Sequence, residues 1–305
     1  MKPGRVGKEV WRHLRRRLAV LSPRRRRWLR FLDSLPADPD RLERPVDEPG
    51  PGDFIICGVP RSGTTLLTAM LFQPPGVVTV MEPWDGMRLP PRDLFASVRR
   101  EIDTSSRLAR GKLDVELLRR EGEVKWRREG LRAVDLGHLH ENYSLGIKWP
   151  AFWRYLELLP NTRFLICVRH PAEVVNSFKE QTGGLREGQM YDVAFNRALN
   201  AELAAATDDP ELRRVLLYAY ISQGVRPFLS APNVHLVRYE RWFDDPRSVM
   251  DGIASFLKVP LPDLPVRLRP RRSPVEISDR EVRFLRTHAR VAEEFGYDLD
   301  QSVSP

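Results

Sequence analysis

From Asp53 onward, short apolar runs rich in β-branched residues alternate with longer segments of helical period. The runs at 54–57, 77–81, 145–148, 164–168 and 234–238 are mainly apolar rather than apolar on every second residue, which predicts strands buried on both faces. Helices are predicted over 65–72, 151–159, 172–180, 193–206, 211–229 and 246–257. A last helix is predicted to open at Ser278, an N-cap residue with Glu281 three positions on. Buried strands joined by crossover helices form a parallel sheet covered on both sides. The predicted fold class is therefore α/β, a single domain over residues 51–305 with a central parallel sheet flanked by helices. Residues 99–132 are highly charged and show no sustained apolar stripe, and are expected to form a helical insertion.

Residues 1–50 follow a different pattern. Val10, Trp11, Leu14, Leu18 and Leu21 space a basic segment as an amphipathic helix, and a Pro- and Asp-rich linker follows at 36–52. Charge sharpens this division. The 305-residue chain carries a formal +9, while residues 1–30 hold twelve Lys or Arg against Glu9, a net +11, which leaves −2 for the rest. The basicity that would suggest nucleic acid thus belongs to an N-terminal arm. Its expected partner is an anionic membrane surface in peripheral contact, and no specific nucleic-acid binding is expected. No run reaches the roughly 18 apolar residues of a membrane-spanning helix, and no early run reaches the roughly 7–15 of a secretory signal, so a cytoplasmic protein is expected. Cys57 and Cys167 lie within predicted strands, where cysteine behaves as a small buried hydrophobe. His138 and His140 are two residues apart, which does not place them on one helical face, and no metal site is expected.

The chemistry concentrates after the first strand, in Gly58-Val-Pro-Arg-Ser-Gly63-Thr64-Thr65-Leu-Leu. A glycine-bearing turn between a strand and a helix cradles an anion, because free backbone N–H groups and the helix dipole point at it. The spacing follows GxxxxGK[ST] except that Thr64 stands where a nucleoside triphosphatase has its lysine, and the cation has moved to Arg61 inside the loop. That change suits a donor with fewer phosphate charges and no obligatory metal.

At Pro60 to Thr65 the chain resembles the sulfotransferase family, whose loop for the 5′-phosphosulfate of 3′-phosphoadenosine 5′-phosphosulfate (PAPS) reads Pro-(Lys or Arg)-Ser-Gly-Thr-Thr. Arg163-Phe-Leu-Ile-Cys-Val-Arg169-His-Pro-Ala-Glu-Val-Val-Asn-Ser177 is similar to that family's 3′-phosphate block, and Val237-Arg-Tyr239-Glu240 to a segment that brings a tyrosine to the nucleotide. Met81-Glu82-Pro83-Trp84 places the resemblance nearer the carbohydrate and protein-tyrosine branches than the phenol and steroid branch.

The resemblance implies a P-loop-like sulfotransferase fold with PAPS as donor, PAP (the desulfated nucleotide) as product and no metal. Arg61, Ser62, Gly63, Thr64 and Thr65 would hold the 5′ end, and Arg169 and Ser177 the 3′-phosphate. Tyr239 would touch the nucleotide, a place it could also fill by core packing. Arg271 and Arg272 would add basic groups or serve as solvated surface charge. Glu82 would be the general base, since Lys148-Trp149-Pro150 keeps the family's lysine and lacks the histidine two residues later; Lys148 would steady the sulfuryl oxygens. The expected acceptor is a small-molecule or glycan-like hydroxyl. A small-molecule kinase and a non-enzymatic binder of anionic surfaces are the competing readings.

Overall fold

Each of the five apolar runs forms a strand: β1 Phe54–Gly58, β2 Val77–Met81, β3 Ser144–Lys148, β4 Arg163–Val168 and β5 Val234–Arg238. The structure is a computed structural model and describes residues 46–105, 107–108, 134–181, 184–190, 196–261, 268 and 275–300. The strands pair in the order β2-β3-β1-β4-β5, all parallel. Continuous apolar runs are needed because both faces are covered. Ile55, Cys57, Val78, Val80, Ile147, Phe164 and Ile166 enter one core, and Phe54, Ile56, Val77, Met81, Leu165 and Cys167 enter the other.

Helices α1 (Thr64–Met70) and, later in the chain, α6 (Pro246–Leu257) pack the second core through Leu66, Leu67, Met70, Met250, Ile253 and Leu257. The first core is closed by α2 (Pro91–Ser105), α3 (Pro171–Lys179), α4 (Arg197–Ala206), α5 (Pro210–Val225) and α7 (Asp279–His288). Ser278 caps α7 as expected. Its hydroxyl accepts from Glu281 N–H at 3.1 Å, and its own N–H donates to Glu281 Oε2 at 3.0 Å.

Three expectations change. Helix α2, which was not predicted, begins ahead of the charged stretch and runs into it as far as Ser105; its apolar stripe is Leu94, Phe95, Val98 and Ile102, of which only Ile102 lies within 99–132. The segment after β3 tightens into a 3₁₀ helix, Pro150–Tyr155, that buries Phe152, Trp153 and Tyr155. Helix α5 ends at Val225 instead of 229, because Pro227 has no N–H to extend the ladder and the chain continues as a 3₁₀ turn, Arg226–Phe228. The basic arm and its linker through residue 45, residues 109–133 of the insertion, and Arg271 and Arg272 lie outside the described residues. Among the described residues no helix is long and apolar enough to cross a membrane.

Candidate active site

The chain turns back between β1 and the strands on either side of it, so the carboxyl ends of β1, β3 and β4 open onto one crevice, the place where open α/β sheets bind ligands. The loop from Gly58 to Gly63 rises there and runs into α1. Gly58 sits at φ 127°, and a Cβ on it would lie 2.3 Å from the Cys167 carbonyl oxygen, so only glycine lets the loop leave the sheet beside β4. Gly63 sits at φ 96° as the residue before α1, where a Cβ would lie 2.4 Å from the Tyr239 ring. It gives α1 no side-chain cap, which leaves the helix's first N–H groups for a ligand to satisfy. Ser62 faces inward. Its hydroxyl lies 2.6 Å from the Val59 carbonyl and 2.8 Å from that of Cys167, and it is buried, so it fastens the loop to β4. Thr64 is buried and its carbonyl accepts from the Thr68 hydroxyl at 2.7 Å; Thr65 is half-buried at the helix start.

The blocks expected to hold the two ends of one nucleotide meet directly. Arg61 Nε donates to Ser177 Oγ at 3.0 Å, across 116 residues of sequence. Arg169 ends β4, and its guanidinium lies 4.3 Å above the Tyr239 ring centre, with Nη1 3.5 Å from the Arg61 carbonyl. Its Nε donates to Glu173 Oε2 at 2.6 Å, and Nη2 pairs with the same carboxylate. The sequence reading gave Arg169 a fork for phosphate. In the structure the Nε and Nη2 edge of that fork is held by Glu173, four residues on in the first turn of α3. An acid at that spacing is the signal that could have revealed it.

On the other side of β1, Lys148 ends β3 opposite Ile56. Its side chain is 4% exposed and its ammonium is paired with Glu82, whose side chain is 31% exposed. A buried ammonium needs such a partner, since an unpaired charge costs several kcal/mol. Glu82 N–H donates to the Lys148 carbonyl at 2.8 Å, and the residue then adopts φ 46°. Among the described residues three non-glycines have positive φ: Arg61 at 73°, Glu82 at 46° and Lys258 at 57°. Two of the three are in this crevice. Strained backbone of this kind, roughly 1–3 kcal/mol per residue, collects at functional sites.

Behind the crevice lies a residue whose role the sequence did not reveal. Glu240 Oε1 accepts from His170 N–H at 2.8 Å, and Glu240 Oε2 accepts from the Tyr297 hydroxyl at 2.8 Å. Burial first, and then the adjacent Glu240 charge, push the Tyr297 phenol well above its ordinary value, so it remains a donor. Burial likewise raises the thiols of Cys57 and Cys167, which keeps both in the unreactive neutral form. Among the described residues no group of three or more acids, histidines or cysteines is arranged to hold a metal.

A model of the sulfotransferase family matches residues 52–263, more than two thirds of the chain. Solved structures similar to the chain include the sulfotransferase domain from the curacin biosynthetic pathway (18% identity, TM-score 0.46, covering 82% of this chain and 99% of that one). A sulfotransferase from Alicyclobacillus acidocaldarius is similar at 16% identity and TM-score 0.45, covering 83% of this chain and 98% of that one. A mouse sulfotransferase complexed with PAP is similar at 11% identity and TM-score 0.33, covering 84% and 70%. No curated protein matches. With the family model spanning residues 52–263, the chain belongs to the sulfotransferase family.

Proposed function

We propose that the chain moves the sulfuryl group of PAPS to an acceptor hydroxyl, by in-line displacement, with Glu82 as general base. One observation carries this reading: the ends of β1, β3 and β4 bring the uncapped start of α1, Arg61, Lys148 and Arg169 to one crevice, with the partly exposed Glu82 carboxylate at Lys148. The residues present fit the donor. Its 5′-phosphosulfate is an anion of the size that the Gly58–Gly63 loop and the N–H groups of Thr64 and Thr65 can surround, and its 3′-phosphate would meet the Arg169 guanidinium and the Ser177 hydroxyl. The bound donor supplies the activated sulfuryl group.

The chain's residues supply charge and placement. Among the described residues Lys148 shares its charge through one side-chain hydrogen bond, to Glu82, so it can turn to an incoming sulfonate oxygen without breaking a wider network. Arg61 is aimed by Ser177 and balances charge at the 5′ end. Glu82 accepts the acceptor proton, from a strand end where water and acceptor can reach it. Donors placed where charge develops are worth roughly 3–4 kcal/mol each. The acceptor assigned here is a carbohydrate or glycan-like hydroxyl, on the Glu82-Pro83-Trp84 resemblance to the carbohydrate and protein-tyrosine branches.

The test is transfer from sulfur-labelled PAPS to a panel of sugar, phenol, lipid and tyrosyl-peptide hydroxyls. Arg61→Ala should lower kcat/KM about 100- to 1000-fold. Unchanged PAPS binding and turnover in Arg61→Ala would reject the loop assignment, and label in a phenol or tyrosyl peptide alone would reject the glycan acceptor.

A further inference from the structure

Glu240 sits where two cofactor-facing segments must agree. It follows Tyr239, which supports the Arg169 guanidinium and packs against Gly63, and it binds the N–H of His170, which follows Arg169. Each carboxylate oxygen has a partner at 2.8 Å, one in the β4–α3 turn and one in the C-terminal segment. That segment is itself fixed on the same spot. The Arg238 guanidinium lies 4.7 Å from the Tyr297 ring centre, the His170 ring meets Tyr297 edge-on at 5.7 Å, and His170 Nε2 is 3.5 Å from the Asp298 carbonyl. His170 Nδ1 accepts from Ala172 N–H at 3.3 Å, so a neutral ring with its proton on Nε2 satisfies both contacts. A carboxylate so engaged has no lone pair directed at a ligand through these bonds. Its effect is to hold the ends of β4 and β5 in one register.

Resting on the PAPS reading, we infer that Glu240, clamped by Tyr297, is a positioning residue that fixes Arg169 and Tyr239 in the arrangement that recognises the nucleotide's 3′-phosphate. The C-terminal residues 295–298 thereby take part in donor selection although they form no part of the anion loop. Removing the carboxylate leaves the half-buried His170 N–H without its acceptor and frees the turn that carries Arg169.

The experiment is calorimetric titration of the full chain with PAP and with AMP, which lacks the 3′-phosphate. Wild type should prefer PAP. Glu240→Ala should lose about tenfold or more of that preference while AMP binding holds. Glu240→Gln should restore it, since its carbonyl can accept from His170 and its amide can donate to Tyr297. Tyr297→Phe keeps the ring beneath Arg238 and removes one hydroxyl, so it should show a smaller loss in the same direction and gives the same test should Glu240→Ala fold poorly. A preference retained in both Glu240→Ala and Tyr297→Phe overturns the inference alone, as does an equal loss of PAP and AMP binding. No preference in wild type overturns the donor reading and this inference with it.

Discussion

Glu82 and Glu281 are both glutamates paired with a lysine, and their surroundings differ in every other respect. Glu281 is fully buried. It pairs with Lys179, takes Arg214 Nη2 at 2.8 Å and Ser278 N–H at 3.0 Å, and so ties α7 to α3 and α5. Burial alone would raise its pKa, but the hydrogen bonds from Lys179 and Arg214 outweigh that and hold it below the ordinary glutamate value. Among the described residues Glu82 has one side-chain partner, Lys148; it stands 31% exposed at a strand end and holds a left-handed backbone. A saturated carboxylate has no capacity left for chemistry and its charge is committed to the fold. One with a single partner, water access and a strained backbone is suited to take a proton.

That contrast predicts opposite consequences for the same substitution. Glu82→Gln should lower kcat about 100- to 10,000-fold, the range for loss of a general base, with a much smaller change in KM for PAPS. Steady-state kinetics with a turned-over acceptor checks it, and a kcat within a few-fold of wild type would transfer the base role to another group. Glu281→Gln should leave the kcat of the folded enzyme near wild type and lower stability by about 3–5 kcal/mol, because Lys179 and Arg214 lose their shared counter-charge. Urea denaturation followed by circular dichroism reads that loss.

The pH dependence gives the second variant a further signature. A carboxyl with a depressed pKa in the folded chain stabilises the fold at any pH above the unfolded value, near the ordinary 4.5, and that contribution disappears as pH falls through the folded value. Wild type and Glu281→Gln should therefore differ most in stability above pH 4.5 and converge in more acidic solution. A difference that stays constant down the acid limb would mean that packing, not charge, is what the glutamate contributes.

What the sequence made legible follows the same division between local and tertiary requirements. The Gly58–Thr65 loop could be read because its glycines answer to local geometry, a positive φ and a close backbone, that no other residue supplies. Strands β1 to β4 could be read because burial on both faces demands mainly apolar runs, and β5, only partly buried, still shows Val234, Leu236 and Val237. Helix α2 was hidden because its stripe of Leu94, Phe95, Val98 and Ile102 is short and flanked by the charged Arg92, Asp93, Arg99, Arg100 and Glu101. The Arg61–Ser177 hydrogen bond, the Glu82–Lys148 pair and the Glu240 clamp each join segments between 57 and 116 residues apart, and only the folded sheet selects those partners. Residue types at the site were thus foreseeable one by one. Their pairing was not, and the pairing separates roles: Ser62 fastens the loop while Arg61 faces the crevice, though the two are neighbours in one motif.

The smallest effect tests whether backbone strain belongs to the site or to the fold at large. Lys258 also holds a left-handed conformation, at φ 57° and ψ 40°, but it does so as the C-terminal cap of α6, where its N–H bonds to the Ala254 carbonyl. Glycine is the residue that adopts this conformation without a clash of Cβ, so Lys258→Gly relieves strain at the helix end and gives back part of the gain as extra freedom in the unfolded chain. The net expectation is a stabilisation of about 0.5–1 kcal/mol, with kcat and KM unchanged, read by thermal denaturation beside the transfer assay. A lysine at a helix end can be exchanged in this way because nothing in the crevice depends on it. At Glu82 the same backbone conformation carries the carboxylate that faces Lys148, so relief of strain there removes the group that the strain positions. A loss of activity in Lys258→Gly would show that strain at α6 is coupled to the crevice, and would erase the distinction drawn between the two positions.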